Sequence, residues 1–364
     1  TLDAEGGGRV IYATGPGLTL TLAGLDIYDG YALDTPKGSG AYLTQVSATI
    51  TNCTFRENGH STGFESRGGG LYITNGSALI THNAFYNNQA TFGGALAIQS
   101  AAGVTLRGNY IHHNLAYRVS GSRGGGIYAN NSPHLILEDN DIFANQARPS
   151  YVSQGGGISL VQSDYARLEN NRIYNNEVVL GTYDGSTNYW RGGGGLDLWN
   201  SDHVLITANQ IYSNTVWGAH RSHPQGGGVR VEGGAYLTFT HNTLYGNAAR
   251  GSSATTSVGH GGGLYTKDIA DSQIAHNDVY SNTSSHHGGG LYLITGDRLT
   301  IAANQIYGNY AIQYPIGAAG GLYVYTTDSL IYANEIHHNE AGDRGGGGVR
   351  LNGSDNLFVS NTVY

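Results

Sequence analysis

The chain is predicted to be all-β: a single right-handed parallel β-helix of about twelve coils, each of about 30 residues. Three observations predict it: a glycine cluster recurring before an aliphatic residue, an asparagine motif recurring at one spacing, and two-residue alternation between them. The glycine mark stands at Gly69-Gly70-Leu71, Gly125-Gly126-Ile127, Gly194-Gly195-Leu196 and Gly289-Gly290-Leu291. The second mark is Asn-x-aliphatic-aromatic-x-Asn, as at 83–88, 140–145, 171–176, 242–247 and 304–309. Aligned on its first position there are twelve copies, from Leu25 and Cys53 through ten asparagines ending at Asn361. Their mean spacing is about 30.5 residues.

Strands follow from the alternation in Leu71-Tyr72-Ile73 and Ala78-Leu79-Ile80. Helical periodicity with caps is missing, so no crossover helix joins the strands. A propeller blade needs more residues per repeat, and the Leu-x-x-Leu-x-Leu pattern of leucine-rich repeats is absent. Twelve coils spaced by about 4.8 Å give a rod of about 55 Å.

Stacked coils place equivalent side chains above one another, so the asparagine amides are expected to donate and accept along the stack. Asparagine also tolerates the left-handed conformation that a sharp corner requires, and is expected to adopt it there. The glycines are expected where a Cβ would clash. Both rows are read as structural. Cys53, the one cysteine, falls in the asparagine row and reads as a small buried thiol, with no disulfide framework and no cysteine metal site.

Composition narrows the function. Glycine is 58 of 364 residues, charged residues are 12%, and the net charge is −8. Lysine occurs only as Lys37 and Lys267, and no basic run exists, which excludes a nucleic-acid footprint. No apolar run is long enough to span a bilayer. The chain reads as one continuous domain, 1–364. Its last copy stops at Asn361-Thr362-Val363-Tyr364, before a second asparagine or a polar cap. A longer native chain or end-to-end self-association is therefore expected.

The segments Gly68-Gly69-Gly70-Leu71-Tyr72-Ile73, 52–58 and 83–88 resemble the repeats of polymorphic outer-membrane proteins and of the broader right-handed β-helix proteins of bacterial surfaces. The opening, with Leu2-Asp3-Ala4-Glu5 and Leu18-Thr19-Leu20-Thr21-Leu22, is similar to their early coils. This resemblance implies an extracellular or bacterial cell-surface location, and a structural or adhesive role as adhesin, surface-layer or filament component. No membrane-barrel domain like that of autotransporter relatives is expected within these 364 residues.

Variation concentrates between the second asparagine and the next glycines, so insertions emerge on one side of the rod. Those loops carry Tyr183, Tyr189, Trp190, Trp217 and His220, chemistry suited to recognition of a protein or polysaccharide surface. A row of aromatic residues, Tyr28 to Tyr364 with His112 and His337 interrupting, is expected to stack along the rod.

The alternative function is a carbohydrate-binding or polysaccharide-cleaving protein acting near Trp199. One position after the glycine-following aliphatic stand Asp197 and Arg230 on successive coils; two further along stand Trp199, Glu232 and Lys267. These five form the best site candidate, as an outward cluster. The competing reading is two ladder salt bridges, Asp197–Arg230 and Glu232–Lys267. A hydrolase needs two carboxylates across a cleft, and a lyase needs clustered acids; Asp197 and Glu232 are the only pair to offer. The acids are otherwise scattered, which favours a non-enzyme over a polysaccharide lyase or glycoside hydrolase. No cofactor is expected. Calcium is the one ion a motif admits, because Gly192-Gly193-Gly194-Gly195-Leu196-Asp197 matches a single copy of a calcium repeat that works only in tandem. His260 and His287, each before a glycine triplet on neighbouring coils, are the candidates for a transition metal.

Overall fold

A computed structural model describes residues 1–32, 36–59, 65–118, 121–150, 153–181, 192–219, 222–252, 258–312, 318–342 and 346–364. These form a right-handed parallel β-solenoid with about 30 residues per turn and no helix among them. Each turn runs from the glycines into a strand such as Leu71–Thr74, then Ser77–Thr81, then Ala84–Tyr86, then Gln89–Ala90. The strands after the glycines stack into a 22-stranded sheet, here the glycine sheet. The strands between the asparagines stack into a 13-stranded sheet, the twelve repeats plus Leu2–Asp3. A third sheet has nine strands. All partners are parallel, in register as at Leu71↔Leu96↔Ile127 except for shifts after Thr14, Ala147 and Ile294.

Alternation fixes what is buried. Along Leu196–Trp199, Leu196 and Leu198 face inward with no exposure, in one continuous core with Val229, Val231, Leu264 and Leu291. Phe55 and Phe85 stack inside it with centroids 4.7 Å apart. Backbone groups of the strands between the two end coils are paired by the coils on either side, which satisfies the obligation of buried amides.

The two asparagine rows are buried ladders. Asn171 is typical: its Nδ2 donates to Leu137 O at 2.8 Å and to Asn209 Oδ1 at 3.0 Å, and its backbone N–H donates to the same Oδ1 at 2.9 Å. The second row repeats this from Asn58 through Asn176 to Asn339. Cys53 keeps the place of an asparagine, with its N–H given to Asn83 Oδ1 at 2.8 Å, and is a free buried thiol.

One expectation is corrected. The left-handed residue at each corner is the one before the asparagine: His82, Asn170 and Ala208 at the first corner, Asn87, His113 and Asn175 at the second. The asparagine itself follows, turned inward, because only then can its amide reach the carbonyl of the preceding coil. The glycines behave as expected. The glycine three residues before the aliphatic takes a positive φ, 61° at Gly68 and 73° at Gly193, and a Cβ on Gly194 would sit 2.2 Å from Gly227 O.

Candidate functional site

The outer face of the glycine sheet is built from three columns of side chains. One precedes the glycines: Lys37, Arg67, Phe92 and Arg123, then Gln225, His260 and His287 further on. The second follows the aliphatic: Tyr42, Tyr72, Tyr128, Ser159, Asp197, Arg230, Tyr265, Tyr292, Tyr323 and Arg350. The third holds Val161, Trp199, Glu232 and Lys267. Register alone aligns them, since each column is one strand position repeated every coil.

The candidate cluster comes together, but not as an open outward group. Asp197 and Arg230 are fully buried and joined at 2.6 Å. Arg230 Nε also donates to Gln225 Oε1 at 2.9 Å, and Gln225 Nε2 donates to the Tyr265 hydroxyl at 3.0 Å. Ser159 Oγ donates to the other Asp197 oxygen at 3.3 Å. Glu232 takes an ion pair from Arg230 and a longer one, 3.6 Å, from Lys267 Nζ. Both ladder bridges of the competing reading are therefore formed. Burial pushes the Tyr265 hydroxyl well above the usual tyrosine range, so it stays protonated.

Trp199 is half-buried beside this network. It packs against the small apolar cluster of Tyr72, Ala97, Tyr128 and Val161 on the outer face. The Arg123 guanidinium lies over its ring at 5.5 Å from the centroid, reaching across the coil that carries small Ser159. Gln225, Tyr265 and Arg123 are site residues that the sequence reading missed. Tyr265 was within reach: it is the next member of the column that gives Asp197 and Arg230.

The remaining candidates separate. Trp217 lies on the third sheet, 41% exposed, with Arg250 over its ring. Tyr183, Tyr189, Trp190 and His220 lie outside the described residues. The flanking strands, ending at Leu180, Gly218 and Gly251, all belong to the third sheet, so these insertions leave from one corner. His260 and His287 stack at 5.3 Å between centroids, with His286 against both. Burial first, then neighbouring imidazoles, hold His260 well below 6.5, His286 at about 4 and His287 at about 3. The His287 Nδ1 accepts a bond from the Ala318 N–H at 3.1 Å. Among the described residues no group of three or more His, Cys, Asp or Glu is placed to hold a metal ion.

The aromatic row is a continuous stack from Tyr86 to Tyr364, including His112 and His337, with centroids 4.7 to 5.3 Å apart. Its ring faces cover one another, leaving edges and hydroxyls outward, so it offers no flat platform. A second stack, His134–Tyr165–His203–Tyr236, follows the asparagine spacing six residues ahead of each first asparagine.

Comparison with known proteins agrees with this architecture. A periplasmic alginate epimerase superposes with a TM-score of 0.52 at 12% identity, covering 96% of this chain and 79% of that one. Tailspike protein 3 of bacteriophage CBA120 gives 0.48 at 12% identity, over 98% and 57%. The A-module of an Azotobacter vinelandii mannuronan C-5 epimerase gives 0.43 at 14%, over 96% and 91%. At 12% identity, what the chain shares with the periplasmic epimerase is the fold. Comparison with curated protein sequences gave no match. The narrower likeness to polymorphic outer-membrane protein repeats rests on its motif segments alone. The sequence profile of the right-handed β-helix region matches residues 39–189 and 180–329, which together span most of the 364 residues, and the chain belongs to that family.

Proposed function

We propose that this protein binds an acidic polysaccharide along the outer face of the glycine sheet, centred on Trp199. The observation that carries this reading is the charge of that face. Its three columns hold six cations, Lys37, Arg67, Arg123, Arg230, Lys267 and Arg350, against two acids, Asp197 and Glu232. That is a formal +4, or +2 once Glu65 and Asp268, which pair with Arg67 and Lys267 from the margin, are included, on a chain whose total is −8. The part-exposed Tyr42, Trp199 and Tyr323 supply apolar edges and hydroxyls between the cations, over the buried Tyr72, Tyr128, Tyr265 and Tyr292, a mixture suited to sugar rings that bear carboxylates.

Binding is favoured over cleavage because the two candidate carboxylates are engaged. Both bond the same guanidinium, and Asp197 is fully buried. A hydrolase needs its carboxyl groups free on either side of the scissile bond. Extracytoplasmic placement, at or beyond a bacterial surface, fits such a ligand, and the epimerase of similar fold is periplasmic. Nothing among the described residues singles out an adhesive or filament role.

Affinity electrophoresis tests the reading. Gels containing polygalacturonate or alginate are expected to retard the protein, and neutral dextran is not. Retardation should fall with added salt, because partly exposed charges are screened within about 10 Å at 0.1 M. Equal mobility in acidic and neutral gels sinks the proposal. Release of unsaturated or shortened sugars during the run would restore the enzyme reading.

A further inference from the structure

We propose that each of two Ile-His-His-Asn turns, His112–His113 and His337–His338, is a two-imidazole site for a divalent transition metal such as Cu²⁺, Ni²⁺ or Zn²⁺. The four-residue sequence occurs twice, at 111–114 and 336–339. In both copies the two Nδ1 atoms face each other at 2.8 Å.

The fold holds each pair. The first histidine belongs to the aromatic stack: His112 is clamped between Tyr86 at 5.3 Å and Phe143 at 4.8 Å, and His337 between Tyr307 and Tyr364, each at 5.1 Å. The second sits at the left-handed corner before the asparagine, with φ of 54° at His113 and 50° at His338. That conformation swings its ring edge-on to the stack, so that its nitrogen meets the first ring. Both second histidines are exposed, and metal and water can reach them.

The spacing suits a metal. Two nitrogens bound at about 2.0–2.1 Å and at a right angle stand about 2.9 Å apart. The nitrogen separation already matches a cis chelate, so the rings need only turn to aim both lone pairs at the metal, leaving the other positions to water. Imidazole prefers transition metals to Mg²⁺ or Ca²⁺. Without metal, one Nδ1–H donates to the other Nδ1. On binding, that ring shifts its proton to Nε2 and both Nδ1 lone pairs go to the metal, so neutral rings release no net proton.

The copies differ in one neighbour. Two residues before His337, on the same side of the strand, stands Glu335, which accepts bonds from Gln305 and Tyr364; before His112 the equivalent residue is Tyr110. The carboxylate is not placed as a third ligand, but its charge favours a cation at the second site, the tighter of the two.

Titration of the whole chain with Cu²⁺ alone, followed by calorimetry and electron paramagnetic resonance, tests this. The variants are His113→Asn and His338→Asn. Asparagine stands at the equivalent left-handed corner in Asn87 and Asn175, so the fold is kept, and a thermal melt checks it. Each variant is expected to lose one bound ion with its nitrogen signature, and the double variant two, with His338→Asn removing the tighter. Ions held by the His260 cluster would remain in all of them. The same stoichiometry and spectrum in the double variant as in the unaltered chain would overturn the proposal, as would a folded chain that binds no Cu²⁺.

Discussion

The interior corners and the outer face of the glycine sheet are built by the same repetition and differ in what it tolerates. At the corners each coil repeats the same residue: asparagine in ten of twelve copies of the first row, glycine before every described aliphatic from Leu71 to Leu291 except Ala95 before Leu96. On the outer face, one column runs through Tyr72, Ala97, Tyr128, Ser159, Asp197, Arg230 and Tyr265. A corner position is satisfied by backbone atoms of neighbouring coils and by the same amide one coil on, which recur unchanged. An outer position is satisfied only by neighbouring side chains, which can change. Chemistry can thus be placed on the outer face without disturbing the rod.

That difference is best broken at Gly194. A methyl group there would meet Gly227 O at 2.2 Å and the Thr215 N at 2.8 Å, all backbone. Gly194→Ala is expected to leave no soluble folded protein, or to lower stability by more than about 4 kcal/mol in denaturant titration. A cost under about 1 kcal/mol would mean that the corner yields.

Arg230 gives the next largest effect. Arg230→Ala strands the buried Asp197 carboxylate and is expected to cost about 3–5 kcal/mol. The double change Asp197→Leu with Arg230→Met should recover most of that loss, because an apolar pair replaces a desolvated one. If the double variant is no better than the single, the network does more than pair two charges.

The histidine group gives a smaller effect with a defined sign. His260, His286 and His287 stay neutral in the fold far below the 6.5 of the unfolded chain. The unfolded state therefore binds more protons as pH falls through 6.5, and the stability these groups contribute is complete above that point. It is lost progressively toward pH 4 and 3. The denaturant midpoint should fall between pH 7.5 and 4.5, and His260→Gln should flatten part of that slope. A midpoint independent of pH over this range contradicts the burial of the cluster. Smallest of all is Tyr212→Leu in the aromatic row, expected to cost about 1 kcal/mol through two lost stacking contacts.

The sequence showed the rod better than the site for a physical reason. Asn171 and Asn209 are legible because the same ladder recurs at a fixed interval, and so is the contact of Asp197 with Arg230, since register alone brings them together. The burial of that pair was not legible. It depends on what lies beside the face, and the reach of Arg123 to Trp199 across a whole coil depends on Ser159 being small. The left-handed corner fell one residue before its expected place because the amide must point inward, a constraint that spacing does not reveal.

The most direct test of the proposed binding face is calorimetric titration of an oligogalacturonate into three proteins: the unaltered chain, Trp199→Ala and Trp217→Ala. Trp199 sits among the cations of the glycine sheet, and Trp217 stands on the third sheet with its own arginine. Trp199→Ala should weaken binding roughly tenfold, about 1.4 kcal/mol, while Trp217→Ala leaves it unchanged. Equal losses in the two variants, or none in Trp199→Ala, would contradict the assignment of this face.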